Sequence, residues 1–351
     1  MRRIFLILIA LTIVAGIGVA GMLYKRTSAP FKGYEGAEQF VTIEPGSGTR
    51  TIGQRLIEAG VISNDATFRA ALWLSGRARS LQAGEFRFDR PLTPTEVIDK
   101  IARGDVHNRR ITFPEGLDIR EMARVYEQQG FGKAVAFADA AGDAGAIRDI
   151  DSAATDLEGY LFPETYSVPR DTTAATLVGL MVARFRQLFT IEMQQAAQAL
   201  ELTPRQAVTL ASLVEKETAQ PAERPIVAAV YLNRLRIGMG MQADPTVIYA
   251  LQRSGRYDGN LRREDLSFDS PYNTYRYAGL PPGPIASPGL ASLQAAVAPA
   301  TVDYLYFVSR NDGSHVFART LVEHNENVRQ YQVVYFRERA AQRAAAEKEK
   351  K

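Results

Sequence analysis

The chain begins with a long apolar run that carries no charge, Ile4 to Tyr24 (IFLILIALTIVAGIGVAGMLY). As a helix rising about 1.5 Å per residue, such a run spans about 30 Å, the thickness of a bilayer's hydrocarbon core. A removable signal peptide has an apolar core of only about 7–15 residues. Leu23, Tyr24, Lys25 and Arg26 also form no small-x-small cleavage site, so the pattern predicts a retained transmembrane helix. Arg2 and Arg3 before the run nearly balance Lys25, Arg26 and Lys32 after it, and charge therefore orients it weakly. The expected order is a short cytoplasmic end plus anchor over 1–26, then a Ser/Pro/Gly linker over 27–39.

Beyond the linker, apolar and polar positions alternate and then shift to a helical period, and they do so twice. VTIEPGSGTRTIGQRLIEAGVI starts at Val41, and ITFPEGLDIREMARVYEQQGF starts about seventy residues later at Ile111. Val41 aligns with Ile111, Ile43 with Phe113, Gly46 with Gly116, Ile52 with Met122 and Gly60 with Gly130. Each copy predicts a strand, a turn at glycine and a short helix closed by glycine. Between them the pattern predicts helices over Asp65–Ser75 and from Thr93-Pro94 to Arg103, and a strand over Leu81–Phe88. Trp73, the only tryptophan, is expected to pack inward, with stacking on a sugar as the alternative.

Thr203-Pro204 opens the most informative helix, a cap and a first-turn proline followed by RQAVTLASLVEKET. Ala207, Leu210, Ala211, Val214 and Thr218 form its apolar stripe, with Glu215 on the edge. A carboxyl held against an apolar face can keep a proton to higher pH and serve as a general acid. The same pattern also suits an ordinary solvated glutamate. Glu217, two positions on and about 200° around the helix, cannot share a site with Glu215. No second carboxylate has a comparable context, Glu223 and Glu158 being possible but unremarkable.

Downstream, LEGYLFPETY (Leu157 to Tyr166) is rich in aromatics, and QADPTVIY predicts a helix begun at Asp244-Pro245. A long Gly/Pro/Tyr/Asn segment follows, from Arg253 to Gly289, with Tyr272, Asn273, Tyr275 and Tyr277 offering flat rings beside amide groups. An aromatic-rich irregular stretch of that length suits a functional loop. YLYFV, a turn at Asn311-Asp312-Gly313 and HVFA predict a hairpin bearing His315. His324 falls on the last helix, which ends in a charged tail.

Composition narrows the function without naming it. At 351 residues the chain exceeds one ordinary core, and 46% apolar with 23% charged residues describes a folded protein. A net charge of +3 is too thin for nucleic-acid binding. Zero cysteines and three histidines remove thiolate chemistry and His-rich metal clusters.

The motifs LEGYLFPETY, LASLVEKET, NRL, QADPTVIY, YNTY, GLPPGPI, YLYFV, G-x-H-x-F and EHN occur in this order, and together they resemble the endolytic murein transglycosylases of the YceG-like (MltG) family. The resemblance spans about residues 40–335. Ala243 departs from it, since Ser or Thr is more usual between Gln and Asp-Pro. The resemblance implies an α+β fold: a single N-terminal transmembrane helix, a LysM-like subdomain over 40–109, and an α+β catalytic domain over 110–335 with a lysozyme-like acid-bearing helix, before a charged tail over 336–351. It implies that Glu215, the first Glu of EKET, is the catalytic acid. The implied substrate is the peptidoglycan glycan strand, cut between N-acetylmuramic acid and N-acetylglucosamine to leave a 1,6-anhydro end.

No metal or cofactor is implied. Implied partners are peptidoglycan glycan strands and, near them, glycan polymerases and penicillin-binding proteins. The implied location is the inner membrane, single-pass, with the catalytic domain in the periplasm. Gln242, Tyr272, Asn273 and Tyr275 are expected to line the groove, with His315 at its rim. Two other classes stay open: a hydrolytic muramidase with a second carboxylate, and a non-catalytic peptidoglycan-binding scaffold.

Overall fold

The computed structural model describes residues 24–337, together with Val14, Gly16, Gly18, Gly21 and Arg339. The expected membrane-spanning run from Ile4 lies almost wholly outside the described residues, as does most of the charged tail. Among the described residues no single helix is long and apolar enough to cross a membrane. The chain folds as two units, Met1–Arg110 with Ser167–Asp171, and Ile111–Tyr166 with Thr172–Lys351.

The first unit is a strand–helix–helix–strand arrangement followed by a third helix. Its elements are β1 (Gln39–Ile43), α1 (Thr49–Glu58), α2 (Asp65–Ser75), β2 (Gly84–Phe88) and α3 (Pro94–Ala102). β1 and β2 pair antiparallel with Val41 opposite Phe86, so alternate side chains of both strands face one core. That core gathers Val41, Ile43, Ile52, Leu56, Phe68, Phe86, Phe88, Val97, Ile98 and Ile101. Trp73 is not part of it. Contrary to expectation it is 76% exposed, because it lies off the face of α2 that buries Thr67, Phe68 and Ala71.

β3 (Asn108–Thr112) and β4 (Thr165–Pro169) pair and carry the chain between the units. The second unit then contains α4 (Ile119–Gln128), α5 (Ala134–Ala141), α6 (Ala174–Leu188), α7 (Ile191–Ala199), α8 (Pro204–Glu217), α9 (Arg224–Arg236), α10 (Asp244–Arg253) and α11 (Leu290–Val297). The hairpin β5 (Tyr306–Ser309) and β6 (His315–Ala318) and the helix α12 (Leu321–Val328) close it. Polar caps start many of these helices where the sequence placed Thr, Asn or Asp. Thr203 and Gln206 form a reciprocal capping box on α8, with Pro204 in its first turn.

The internal repeat persists at the level of backbone conformation. Its aligned glycines share the left-handed region, Gly46 at φ 79° and Gly116 at 78°, Gly60 at 68° and Gly130 at 71°. Only glycine adopts that region freely, so the turn and the helix stop recur in both copies for one steric reason.

α8 is the centre of the second unit and packs against α7, α9, α10 and α11. Every residue from Ala207 to Val214 is buried, the polar Thr209 and Ser212 included, so α8 is covered all round rather than along one stripe. LEGYLFPETY belongs to the core: Leu157, Tyr160 and Leu161 are each at most 1% exposed. The buried Tyr160 hydroxyl is satisfied by donating to Asp151 Oδ2 at 2.6 Å.

Candidate active site

A helix buried on all sides emerges into polar surroundings only at its ends, and Glu215 stands in the last turn of α8. Its side chain is 7% exposed, and Arg224 Nη2 donates to its Oε1 at 3.3 Å. The backbone N–H of Gly289 donates to Oε2 at 2.9 Å. That N–H precedes α11, and helix starts present unsatisfied donors to anions. One cation and one backbone dipole therefore hold the carboxylate in a fixed orientation.

A second carboxylate faces the same guanidinium. Glu115 Oε2 lies 3.7 Å from Arg224 Nη2, and Glu115 is 47% exposed at its side chain. Glu115 precedes Gly116, whose left-handed turn brings its loop against α8. Gly116 N–H donates to the Ser287 carbonyl at 2.9 Å, and Ser287 N–H donates to the Leu117 carbonyl at 2.8 Å. Lys216 Nζ donates to the Gly116 carbonyl at 3.1 Å, pinning the loop to the helix end. Burial pushes the Glu115 carboxyl up, the charge of Glu215 pushes it further, and Arg224 pulls it down.

Glu217 occupies a separate polar cluster, as its helical angle requires. Its Oε1 accepts from the Tyr231 hydroxyl at 2.8 Å. Burial raises its pKa to about 7 against the pull of that hydrogen bond, with Asp244 adding and His315 and Arg234 subtracting. Glu223 in turn fixes His315: the His315 backbone N–H donates to Oε1 at 2.8 Å, and ring Nδ1 lies 2.7 Å from Oε2. Thr218 Oγ1 donates to the same Oε2 at 3.0 Å. Consecutive residues Glu223 and Arg224 thus hold His315 and Glu215 respectively.

The sequence profile of the YceG-like family matches residues 41–330. The chain belongs to the YceG-like family. It is similar to a Bacillus subtilis (strain 168) protein named endolytic murein transglycosylase, 32% identical over 311 residues covering 83% of this chain and 84% of that relative. A Streptococcus pneumoniae (strain ATCC BAA-255 / R6) protein of the same name is 28% identical over 328 residues, 84% of this chain and 59% of that longer protein. Among solved structures, a YceG-like protein from Listeria monocytogenes superposes with a TM-score of 0.56 and 30% identity, covering 83% of this chain and 98% of its own.

This YceG-like chain distributes the other expected site residues unevenly. Tyr275 is 37% exposed, and its hydroxyl donates to Asp244 Oδ1 at 2.6 Å, within the Glu217 cluster. Asp244 therefore holds a tyrosine instead of capping α10. Gln242 is exposed and sits in the left-handed region at φ 50°, an uncommon conformation for a residue with a Cβ. Its N–H donates to the Thr274 carbonyl at 3.3 Å. Tyr272 belongs elsewhere: its ring tilts against Tyr249 at 5.0 Å, and Tyr249 donates to the buried Glu158.

Asn273 does not line a groove. It is 0% exposed, and its Nδ2 donates to the Leu266 and Phe268 carbonyls at 3.0 and 2.7 Å. Its Oδ1 accepts from the Tyr275 N–H at 3.0 Å. A side-chain amide satisfied three times by backbone is a brace for an irregular loop. His315 is 12% exposed at its side chain and stands edge-on to Phe307, so the Glu223 carboxylate and an aromatic wall orient the ring.

Asn233 and Arg234 of NRL are braces too. Asn233 Nδ2 donates to the Val302 and Tyr304 carbonyls, and Arg234 donates to those of Leu305, Gly240 and Met241. Three surface cavities lie away from Glu215, near Glu44 and Gln82, near Asn233 and Asp303, and near Gln194 and Thr203. Glu215 lines none of these three, and Glu115 beside it is the more exposed of the two carboxylates, 47% against 7%.

Glu115 and Arg224 were missed by sequence reasoning. One signal was available: the two copies carry Glu and Pro before the turn glycine in opposite order, Glu44-Pro45-Gly46 and Pro114-Glu115-Gly116. Only in the second copy does the carboxylate adjoin the turn glycine.

Proposed function

We propose that this chain is a membrane-anchored endolytic lytic transglycosylase of peptidoglycan, cutting glycan strands between N-acetylmuramic acid and N-acetylglucosamine to leave 1,6-anhydro-muramic ends. Supporting it are the family membership and the name shared by the Bacillus and Streptococcus relatives. The observation that carries the chemistry is the Glu215 carboxyl, almost covered and held by the Gly289 N–H at the end of a buried helix.

Glu215, protonated, gives its proton to the bridging oxygen, and the N-acetylglucosamine side leaves as an alcohol. The muramic acid's own 2-acetamido group stabilises the oxocarbenium-like carbon. The C6 hydroxyl of the same sugar then attacks C1, and the Glu215 carboxylate takes its proton. One group serves first as acid and then as base, no water is consumed, and the intramolecular attack has the advantage of proximity. Of the expected groove residues, Tyr275, Gln242 and His315 keep exposed or part-exposed side chains to carry the sugar contacts.

The first unit reads as a LysM-like glycan-binding subdomain. Its strand–helix–helix–strand order with adjacent antiparallel strands supports that reading, as does the cavity beside Glu44, Pro45 and Gln82. The uncharged run Ile4–Tyr24 supports an inner-membrane anchor with the catalytic domain in the periplasm, near glycan polymerases and penicillin-binding proteins. A full-length protein that remains in membranes through a high-salt wash agrees with this; release of a shortened soluble form contradicts it.

Glu115 favours a second reading. Two carboxylates beside one bond are the equipment of a hydrolase, so a muramidase is the competing chemistry. Digestion of purified glycan strands by full-length protein separates the two by mass, since an anhydro end is one water lighter than a reducing end. Glu215→Gln is expected to abolish cutting, and undiminished cutting by this variant would refute both readings.

A further inference from the structure

Glu215 and Glu115 compete for one guanidinium. Arg224 Nη2 reaches Glu215 Oε1 at 3.3 Å and Glu115 Oε2 at 3.7 Å, while the buried Arg224 Nε has no hydrogen-bond acceptor. Arg224 therefore does not close on Glu215 as a two-pronged clamp, although Arg–carboxylate pairs readily take that form. A fully committed Arg224 would oppose the proposed acid step, because a carboxyl clamped by a buried cation parts with its proton too early. The Glu115 carboxylate also lies directly over Gly289, the residue whose N–H holds Glu215: a Cβ built on Gly289 would stand 2.0 Å from Glu115 Oε1.

We propose that Glu115 is a positioning residue for the acid step, sharing the Arg224 charge so that Glu215 can carry a proton without leaving the guanidinium uncompensated. The chemical consequence rests on the transglycosylase reading above; the electrostatic coupling does not. While Glu215 is protonated, Arg224 and ionised Glu115 neutralise each other. Once Glu215 has given its proton away, two carboxylates face one cation, and the excess negative charge favours recovery of a proton from the sugar's C6 hydroxyl. The raised pKa of Glu115, attributable first to burial and then to Glu215, agrees with two carboxyls in contact through one field.

Among the described residues, no other charged group around the carboxylate offers this service. On α8 itself, Lys216 is turned to the Gly116 carbonyl and Glu217 to Tyr231. On the α9 side, Glu223 is occupied by His315 and Thr218. On the loop before α4, Asp118 accepts from Arg120 and from the Glu121 N–H. α11 carries no ionisable side chain.

Full-length protein and purified glycan strands test the reaction side through pH–rate profiles. Glu115→Gln is expected to move the alkaline limb of kcat down by about one pH unit and to lower kcat near neutrality about tenfold with KM little changed. Glu115→Asp should recover part of the loss. Gly289→Ala, which displaces the Glu115 carboxylate but keeps its charge and a permitted backbone, should copy the limb shift in smaller measure. A uniform fall in kcat with an unmoved profile would overturn the proposal. So would reducing-end products that vanish with Glu115→Gln, since Glu115 would then be activating water.

A second measurement does not need activity. Carboxyl NMR of 13C-labelled glutamates should show Glu115 titrating above an ordinary glutamate in the wild type and falling back in Glu215→Gln. An unmoved Glu115 titration overturns the coupling whether or not the chain cuts glycan. A clear shift combined with full cutting by Glu215→Gln leaves the coupling standing and refutes the reaction.

Discussion

Arg224 Nη2 lies 3.3 Å from Glu215 Oε1, with the two side chains only 11% and 7% exposed. Charges this far out of water are costly apart and tolerable together. Arg224→Gln is therefore expected to reduce stability by about 3 kcal/mol in urea unfolding at neutral pH, because it leaves Glu215 covered and unpaired. The same variant should cut glycan strands roughly a hundredfold more slowly, since the carboxyl loses its orientation. A stability loss without an effect on cutting would show that the pair is only structural.

Asn273 should behave as a brace. Removing three hydrogen bonds from a fully buried amide in Asn273→Ala is expected to cost about 2–3 kcal/mol. Hydrogen exchange or limited proteolysis should find the loss concentrated between Arg253 and Gly289. A variant with unchanged loop protection but a raised KM would return Asn273 to the sugar groove.

Glu158 makes stability depend on pH. It is 7% exposed, and burial, reinforced by Asp118, lifts its pKa to about 8 despite the Ile119 N–H and the Tyr249 hydroxyl. The folded protein thus binds this proton more tightly than the unfolded chain. Its contribution is complete below the unfolded value near 4.5 and declines as pH rises to about 8. The decline amounts to at most about 5 kcal/mol. Glu158→Gln should flatten this part of the unfolding curve, and an equally steep curve in the variant would assign the dependence to another group.

Gly159 combines two constraints. Its φ is +82°, and an added Cβ would stand 2.5 Å from Pro284 Cβ and 3.1 Å from Val208 Cγ1. Gly159→Ala is expected to lower stability by about 2–4 kcal/mol, from backbone strain together with overpacking beneath α8. Calorimetry reads this directly, and a change below about 1 kcal/mol would mean that the neighbouring loop yields.

Local patterning was sufficient for most elements, because strand alternation, caps and helix periods are written within a few residues. The two glycine turns of the repeat, the Thr203-Pro204 start of α8 and the hairpin before His315 all follow from such signals. The same reading placed Glu215 on the edge of the apolar stripe of α8. It misjudged Trp73 and Asn273, since inward or outward direction depends on which neighbour covers a face, and that neighbour is distant in sequence.

The sequence by itself determined the two strand–turn–helix copies, the capped start of α8 and the strand pair that bears His315, since each depends on short-range sterics and hydrogen bonding. Only the tertiary structure decided that Glu115 and Glu215, a hundred positions apart, would face one arginine, and that Glu217 would turn instead to Tyr231. The physical reason is that charge pairing through a shared guanidinium needs separations of a few ångströms, and those are set by how α8, α9 and the Gly116 turn pack rather than by any interval along the chain.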